Sequence, residues 1–220
     1  RVHGNYDRPG WTANGVEPWG LQPDPIGSDG NNFFRGFLNL LMCFRRYVSG
    51  DAKWEQPFEM AGYQGRKFEW DHHSLVSFMH DQWAERPQGV HCENTKIWPF
   101  CVSGAGLGMQ LYDGLYDAKT NWVYEQWIEY AQKHYMAFDT KGNIDWFAFY
   151  YDPIEKSMCT FRDEVGAYAA IAITLYVLPR SRELGTKLYE MAVNKLGWNA
   201  PDKALLQLHP DPRWLTLGII

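Results

Sequence analysis

Gly114-Leu115-Tyr116-Asp117-Ala118-Lys119-Thr120-Asn121-Trp122-Val123-Tyr124-Glu125-Gln126 echoes an earlier stretch, Arg46-Tyr47-Val48-Ser49-Gly50-Asp51-Ala52-Lys53-Trp54-Glu55-Gln56. Each reads as the end of one helix, a polar turn around Asp-Ala-Lys, and a new helix starting at Trp. A fainter third copy runs Leu178-Pro179-Arg180-Ser181-Arg182-Glu183-Leu184. A helix-pair unit recurring at so wide a period points to antiparallel helix pairs set side by side in a ring or solenoid. The fold class is therefore all-α. Short β-hairpins between pairs would decorate one rim, and rim loops are where sites usually lie.

Outward from the repeat, apolar spacing and breakers place the other elements. Phe33, Phe34, Phe37, Leu38, Leu41, Phe44, Tyr47 and Val48 share one broad apolar helix face, closed by Gly50. Phe58 to Trp70 alternates as a hairpin, and Asp71 caps a helix running to about Glu85, closed by Pro87. Pro99 opens a helix whose small residues, Ser103, Gly104, Ala105, Gly106 and Gly108, permit close approach of another backbone. The spacing predicts further helices over 121–137, 162–178 and 183–196, with a hairpin over 144–151. Residues 1–32, rich in Gly, Pro, Asn and Asp, read as an irregular entry segment over the surface or the mouth of a site. The chain reads as one domain over 1–220, cut from a longer polypeptide. It begins without Met and stops in apolar sequence, so its compartment stays open.

Composition excludes some functions. A net charge of −5 and the lack of any Lys/Arg run argue against nucleic acid. No apolar stretch approaches the ~18 residues of a membrane span. Aromatics reach 16%, which fits an aromatic-lined pocket as well as aromatic packing between helices.

The chemistry candidates begin with Cys92-Glu93-Asn94-Thr95-Lys96-Ile97-Trp98-Pro99-Phe100-Cys101, two thiols nine positions apart. Zinc favours tighter spacing and a second cluster, and His72 and His73, adjacent on a helix, point in different directions. A disulfide and inert packing both stay open. The polar neighbours His91, Glu93, Asn94 and Lys96 can shift a thiol's pKa either way, so one thiol could serve as acid and the other as base. Other candidates are His73 as a proton carrier, and Asp163 or Glu164 at a helix start, with Tyr168 lining a site. Asp24, in Trp19-Gly20-Leu21-Gln22-Pro23-Asp24-Pro25-Ile26, is a possible cover for a ligand. Each also has a plain structural reading as a cap, a solvated charge or a packed ring. Gly104-x-Gly106-x-Gly108 is a helix stripe with no phosphate or dinucleotide signature.

These blocks resemble the linalool dehydratase/isomerase family. The resemblance rests on Asp24-Pro25-Ile26, then Asn32-Phe33-Phe34-Arg35-Gly36-Phe37-Leu38-Asn39-Leu40, then Cys92-Glu93 with Cys101, then Tyr112-Asp113, then Gly166-Ala167-Tyr168. It spans roughly residues 18–195. It implies an (α/α)6 barrel, incomplete in this chain, with a central site often completed by a neighbouring subunit in a ring homo-oligomer. It also implies removal of water from, or isomerisation of, hydrophobic terpenoid alcohols without metal or organic cofactor. Cys92 and Cys101 would then be the proton-transferring pair, with Tyr168 beside the substrate and Glu164 or His73 assisting. Phe33, Phe37, Glu93, Trp98, Phe100 and Asp24 would form the substrate-binding surface. One departure stands out. The family's block has a catalytic His where this chain has Phe37. Two other readings stay open: a carbohydrate-active (α/α)6 enzyme using Asp145, Asp163 or Glu164, and a non-catalytic ligand-binding domain.

Overall fold

A computed structural model of the chain describes residues 23–28, 30–62, 65–92 and 96–198. Along them run α1 (Asn32–Ser49), β1 (Phe58–Ala61), β2 (Lys67–Trp70), α2 (His72–Ala84), α3 (Pro99–Tyr116) and α4 (Trp122–His134). Then come β3 (Met136–Phe138), β4 (Ile144–Asp152), β5 (Ser157–Thr160), α5 (Glu164–Val177) and α6 (Arg182–Leu196). Among the described residues no helix is long and apolar enough to cross a membrane.

The helices form three antiparallel pairs. In the first, Arg35 near the start of α1 bonds Gln82 near the end of α2, while Asn39 and Cys43 meet His72 at the start of α2. In the second, the Asp113 carboxylate accepts from the N–H groups of Thr120 (2.8 Å) and Asn121 (2.9 Å), turning α3 directly into α4. In the third, Gly185 of α6 lies on Leu178 at the end of α5, and Lys195 reaches back to the Arg162 carbonyl. α1 and α3 instead run parallel: Gly36 sits on Ala105, Phe37 on Gly104, and Asn39 with Leu40 on Gly108. The small-residue stripe of α3 makes this approach possible. Their N-terminal ends thus lie at one end of the molecule.

Local chemistry accounts for the boundaries. Asp71 and Ser74 form a reciprocal capping box at α2, with Ser74 N–H donating to the Asp71 carboxylate at 2.8 Å. Pro99 occupies the first turn of α3, where a missing N–H leaves no bond unmade. Gly50 takes a left-handed conformation (φ +68°) after α1, as helix-ending glycines do.

Three expectations are corrected. Of the apolar face of α1, Leu38 packs against the core but much of the rest does not. Leu41 is 64% exposed, Tyr47 76% and Val48 80%, while Asn32, Arg35, Gly36, Asn39, Leu40, Met42 and Cys43 are buried. Periodicity marks where apolar residues gather, but the tight parallel contact with α3 selects the face with small and hydrogen-bonding residues. The first copy of the repeat does not start a helix at Trp54. It forms a single 3-10 turn, Lys53–Glu55, which ends at the extended Gln56 shortly before β1. The hairpin expected at 144–151 is the middle strand, β4, of a three-stranded antiparallel sheet ordered β3-β4-β5. The β1–β2 hairpin is as expected, pairing Phe58 with Trp70.

The core lies between the helix layers, where Trp83 and Trp127 are each 1% exposed and flank Tyr124. Burial of each such ring stabilises by about 2–3 kcal/mol.

Candidate active site

The candidate site is built on the shared end of α1 and α3. Cys101 lies in the first turn of α3 and is 4% exposed. Cys92 lies in the preceding loop and is fully buried. All four cysteines are free thiols. Cys92 N–H donates to the Lys96 carbonyl at 2.7 Å.

Beside Cys101 stands an aromatic group from three helices. Phe37 is 5.0 Å from Phe33, 5.7 Å from Phe100 and 6.0 Å from Tyr176, measured between ring centroids, and Phe100 is 5.5 Å from Tyr176. Phe33 and Phe100 are partly open, at 42% and 36% exposure. Burial pushes the Tyr176 phenol above its usual range, and the neighbouring Cys101 adds to this. Such a surface repels water and accepts an apolar ligand.

A second aromatic row leads from the thiol loop to α5. Trp98 meets Phe149 (5.3 Å) and Tyr150 (5.0 Å) on β4, and Phe149 meets Phe161 (5.2 Å). Phe161 precedes Asp163, which caps α5 by accepting from Val165 N–H at 3.1 Å, and Glu164 follows in the first turn.

The structure brings together Cys101, Phe33, Phe37 and Phe100, with Trp98 on the adjoining row. Tyr168, four residues after Glu164, packs with Val165 and with Phe161 of that row, and lies edge-on to Trp198 at 5.4 Å. His73 is set apart. His73 is bonded to Tyr112 (Nδ1 to hydroxyl, 2.6 Å). Tyr112 lies eleven residues further along α3 than Cys101, roughly 16 Å at the helical rise. His73 therefore cannot share a proton with that thiol. Asp24 is taken up by structure: its carboxylate accepts from Trp70 Nε1 (3.0 Å) and Ile26 N–H (2.9 Å). Glu93 lies outside the described residues. A cavity of about 480 Å³ at the α5–α6 turn, lined by Thr174, Leu178, Arg182 and Tyr189 among others, holds none of the candidate residues. Among the described residues, no three His, Cys, Asp or Glu side chains converge as metal ligands would.

A model of the linalool dehydratase/isomerase family matches residues 11–211. The chain belongs to that family. Membership points to an enzyme of the dehydratase/isomerase type, in keeping with the resemblance carried by the Cys92–Cys101 and Asn32–Leu40 blocks.

Sequence reasoning missed two features of this family member. Tyr176 completes the aromatic group, but nothing local ties it to Phe37 across 139 positions of sequence. A second polar cluster was also missed. Cys43 Sγ lies 3.6 Å from His72 Nε2, which is 2.9 Å from Asn39 Oδ1. Burial holds the Cys43 thiol up at about 12, so it is protonated and inert.

Proposed function

We propose that this protein is a cofactor-independent lyase or isomerase acting on a hydrophobic, terpenoid-like alcohol, with Cys92 and Cys101 as its acid–base pair. The observation that carries the reading is the juxtaposition of a buried thiol, Cys101, with the Phe33, Phe37, Phe100 and Tyr176 rings at the shared end of α1 and α3. An apolar wall of this kind holds a hydrocarbon skeleton and keeps water from an allylic, cation-like intermediate. In dehydration one thiol gives its proton to the leaving hydroxyl, the C–O bond breaks, and water departs. The partner thiolate takes a proton from the adjacent carbon, whose C–H electrons form the new C=C bond. In isomerisation water returns to the other end of the allylic system. Glu164, near the same rim through the Trp98–Phe149–Phe161 row, is the proposed assisting carboxylate. Tyr168, one turn after Glu164 and packed with Phe161, is proposed to lie beside the substrate, whereas His73 is too far from Cys101 to exchange its proton.

The three helix pairs, with α1 and α3 parallel, are consistent with an arc of an (α/α)6 barrel. Apolar residues exposed at both margins support closure by further helix pairs: Leu41, Tyr47 and Val48 on α1, and Leu175, Leu178 and Tyr189 at the α5–α6 side. A ring homo-oligomer belongs to the same proposal. The test is turnover of tertiary allylic terpene alcohols by the full-length protein. Cys92→Ser and Cys101→Ser should each reduce kcat by at least about 100-fold. Unchanged turnover in both variants sinks the reading.

A further inference from the structure

We infer that Lys96 and Asp152 are positioning residues that set where the Cys92 thiol sits. Lys96 is tied in two directions at once. Its carbonyl accepts the Cys92 N–H at 2.7 Å, and its ammonium pairs with Asp152 Oδ2 at 2.8 Å. Any movement of Lys96 therefore moves the backbone that carries Cys92. The inference rests on the reading of Cys92 as an acid–base thiol, but its geometry belongs to the loop alone.

Strand β4 is the template for this loop. After Lys96, Ile97 exchanges both backbone hydrogen bonds with Tyr151, at 2.8 and 2.9 Å. Trp98 then lays its ring on Phe149 and Tyr150, and Pro99 begins the helix that bears Cys101. Each described residue from 96 to 98 is thus fastened to one strand. Asp152 ends that strand and is itself fixed, since its Oδ1 accepts from Ile154 N–H (2.9 Å) and Glu155 N–H (3.2 Å). The Lys96 ammonium also lies 5.8 Å above the Tyr150 ring.

The energetics favour a geometric role over a stabilising one. The pair is largely buried, with side-chain exposures of 21% for Lys96 and 6% for Asp152. Pairs of this kind recover little more than their desolvation cost, so their main product is a fixed arrangement. The Ile97 N–H bond to Tyr151 orients the Lys96 carbonyl, which shares its peptide plane, and the ion pair holds the Lys96 side chain on the same strand.

The test is site-resolved alkylation of Cys92 and Cys101 by mass spectrometry, with Asp152→Asn, Lys96→Met and Lys96→Arg in the full-length protein. Asp152→Asn and Lys96→Met should raise the Cys92 labelling rate about tenfold or more by easing local opening. The Cys101 rate should stay close to the parent's even though each charge-deleting variant lowers the thermal midpoint by leaving a buried charge unpaired, and Lys96→Arg should restore slow Cys92 labelling. In turnover, kcat should fall with little change in KM. An unchanged Cys92 rate in both charge-deleting variants overturns the inference. So does an equal rise at Cys92 and Cys101, which is general loosening. Labelling needs no substrate, so it stands or falls separately from the turnover of Cys92→Ser.

Discussion

His72 Nε2 lies 2.9 Å from Asn39 Oδ1, with the two residues 1% and 0% exposed. The other ring nitrogen is 3.3 Å from the Tyr116 hydroxyl, which donates to Glu55 at 2.9 Å. This contact closes the α1–α2 pair at the end away from Cys92 and Cys101. Burial pushes His72 down to about 4, the neighbouring His73 adds to this, and Glu55 and Asp71 oppose it.

A pH dependence follows. An unfolded imidazole takes up its proton near ~6.5. Between that pH and about 4 the unfolded chain binds a proton that folded His72 refuses. Its contribution is therefore complete above ~6.5 and is lost as pH falls toward 4. Thermal midpoints measured across this window should drop as pH falls, and His72→Gln should flatten that slope. A variant with the parent's slope would show that His72 is not the group responsible.

Gly106 and Gly114 sit on the same helix and should respond oppositely to alanine. A Cβ on Gly106 would lie 2.2–2.4 Å from the Tyr124 ring, and Tyr124 is held by its hydroxyl's bond to the Tyr176 carbonyl. Gly106→Ala should destabilise by about 1–3 kcal/mol, because the ring must leave its place in the core. A Cβ on Gly114 meets nothing within 4 Å, so Gly114→Ala should stabilise by roughly 0.5–1 kcal/mol through helix propensity. Urea unfolding of both variants checks the pair. Equal effects of one sign would contradict the close α3–α4 packing.

The contrast between these glycines shows what the sequence made legible. The small-residue stripe of α3, the Pro99 start, the Asp71 cap and the β1–β2 hairpin all follow from local chemistry, and each was readable. The turns at Asp117-Ala118-Lys119 and Leu178-Pro179-Arg180 were equally readable as links between paired helices. The buried face of α1 was not, because Asn39 and Arg35 are polar until long-range partners satisfy them. The candidate site was half legible. Cys92 and Cys101 stand out by spacing, and Phe33, Phe37 and Phe100 by composition. The separation of His73 from Cys101 depends on helix direction, and no local pattern encodes it.

Arg35 gives a third prediction. It is 0% exposed, and its Nη1 donates to the carbonyls of Ile26 (3.1 Å) and Ser28 (2.6 Å) while Nη2 bonds Gln82. Its guanidinium also lies 5.2 Å over the Phe78 ring. One side chain therefore holds segment 24–28 against the α1–α2 pair. Arg35→Ala strands three oxygen acceptors and should cost about 3 kcal/mol or more. Arg35→Lys should recover only part of this, since a single ammonium cannot reproduce the planar fork. Limited proteolysis should cut near Ile26 first in the alanine variant. A cleavage pattern like the parent's would argue that other contacts hold the segment.

The last prediction concerns Phe37, the hub of the aromatic group. Its ring touches Phe33, Phe100 and Tyr176 and fills the space over Gly104. In the proposed site Phe37 binds the substrate skeleton equally in the ground and transition states. Phe37→Ala should then raise KM for a terpenoid alcohol about tenfold to 100-fold, matching the ~1–3 kcal/mol of an apolar ring contact, with a smaller change in kcat. Phe37→His restores the side chain that the family's block carries at this position. It should introduce a titration near ~6.5 into the pH profile of kcat/KM, because an imidazole at the rim would join the proton traffic. Steady-state kinetics across pH on the two variants, with thermal midpoints to confirm folding, separates these effects. A fall in kcat alone for Phe37→Ala would mean that the ring acts on the transition state and is more than a wall for the substrate.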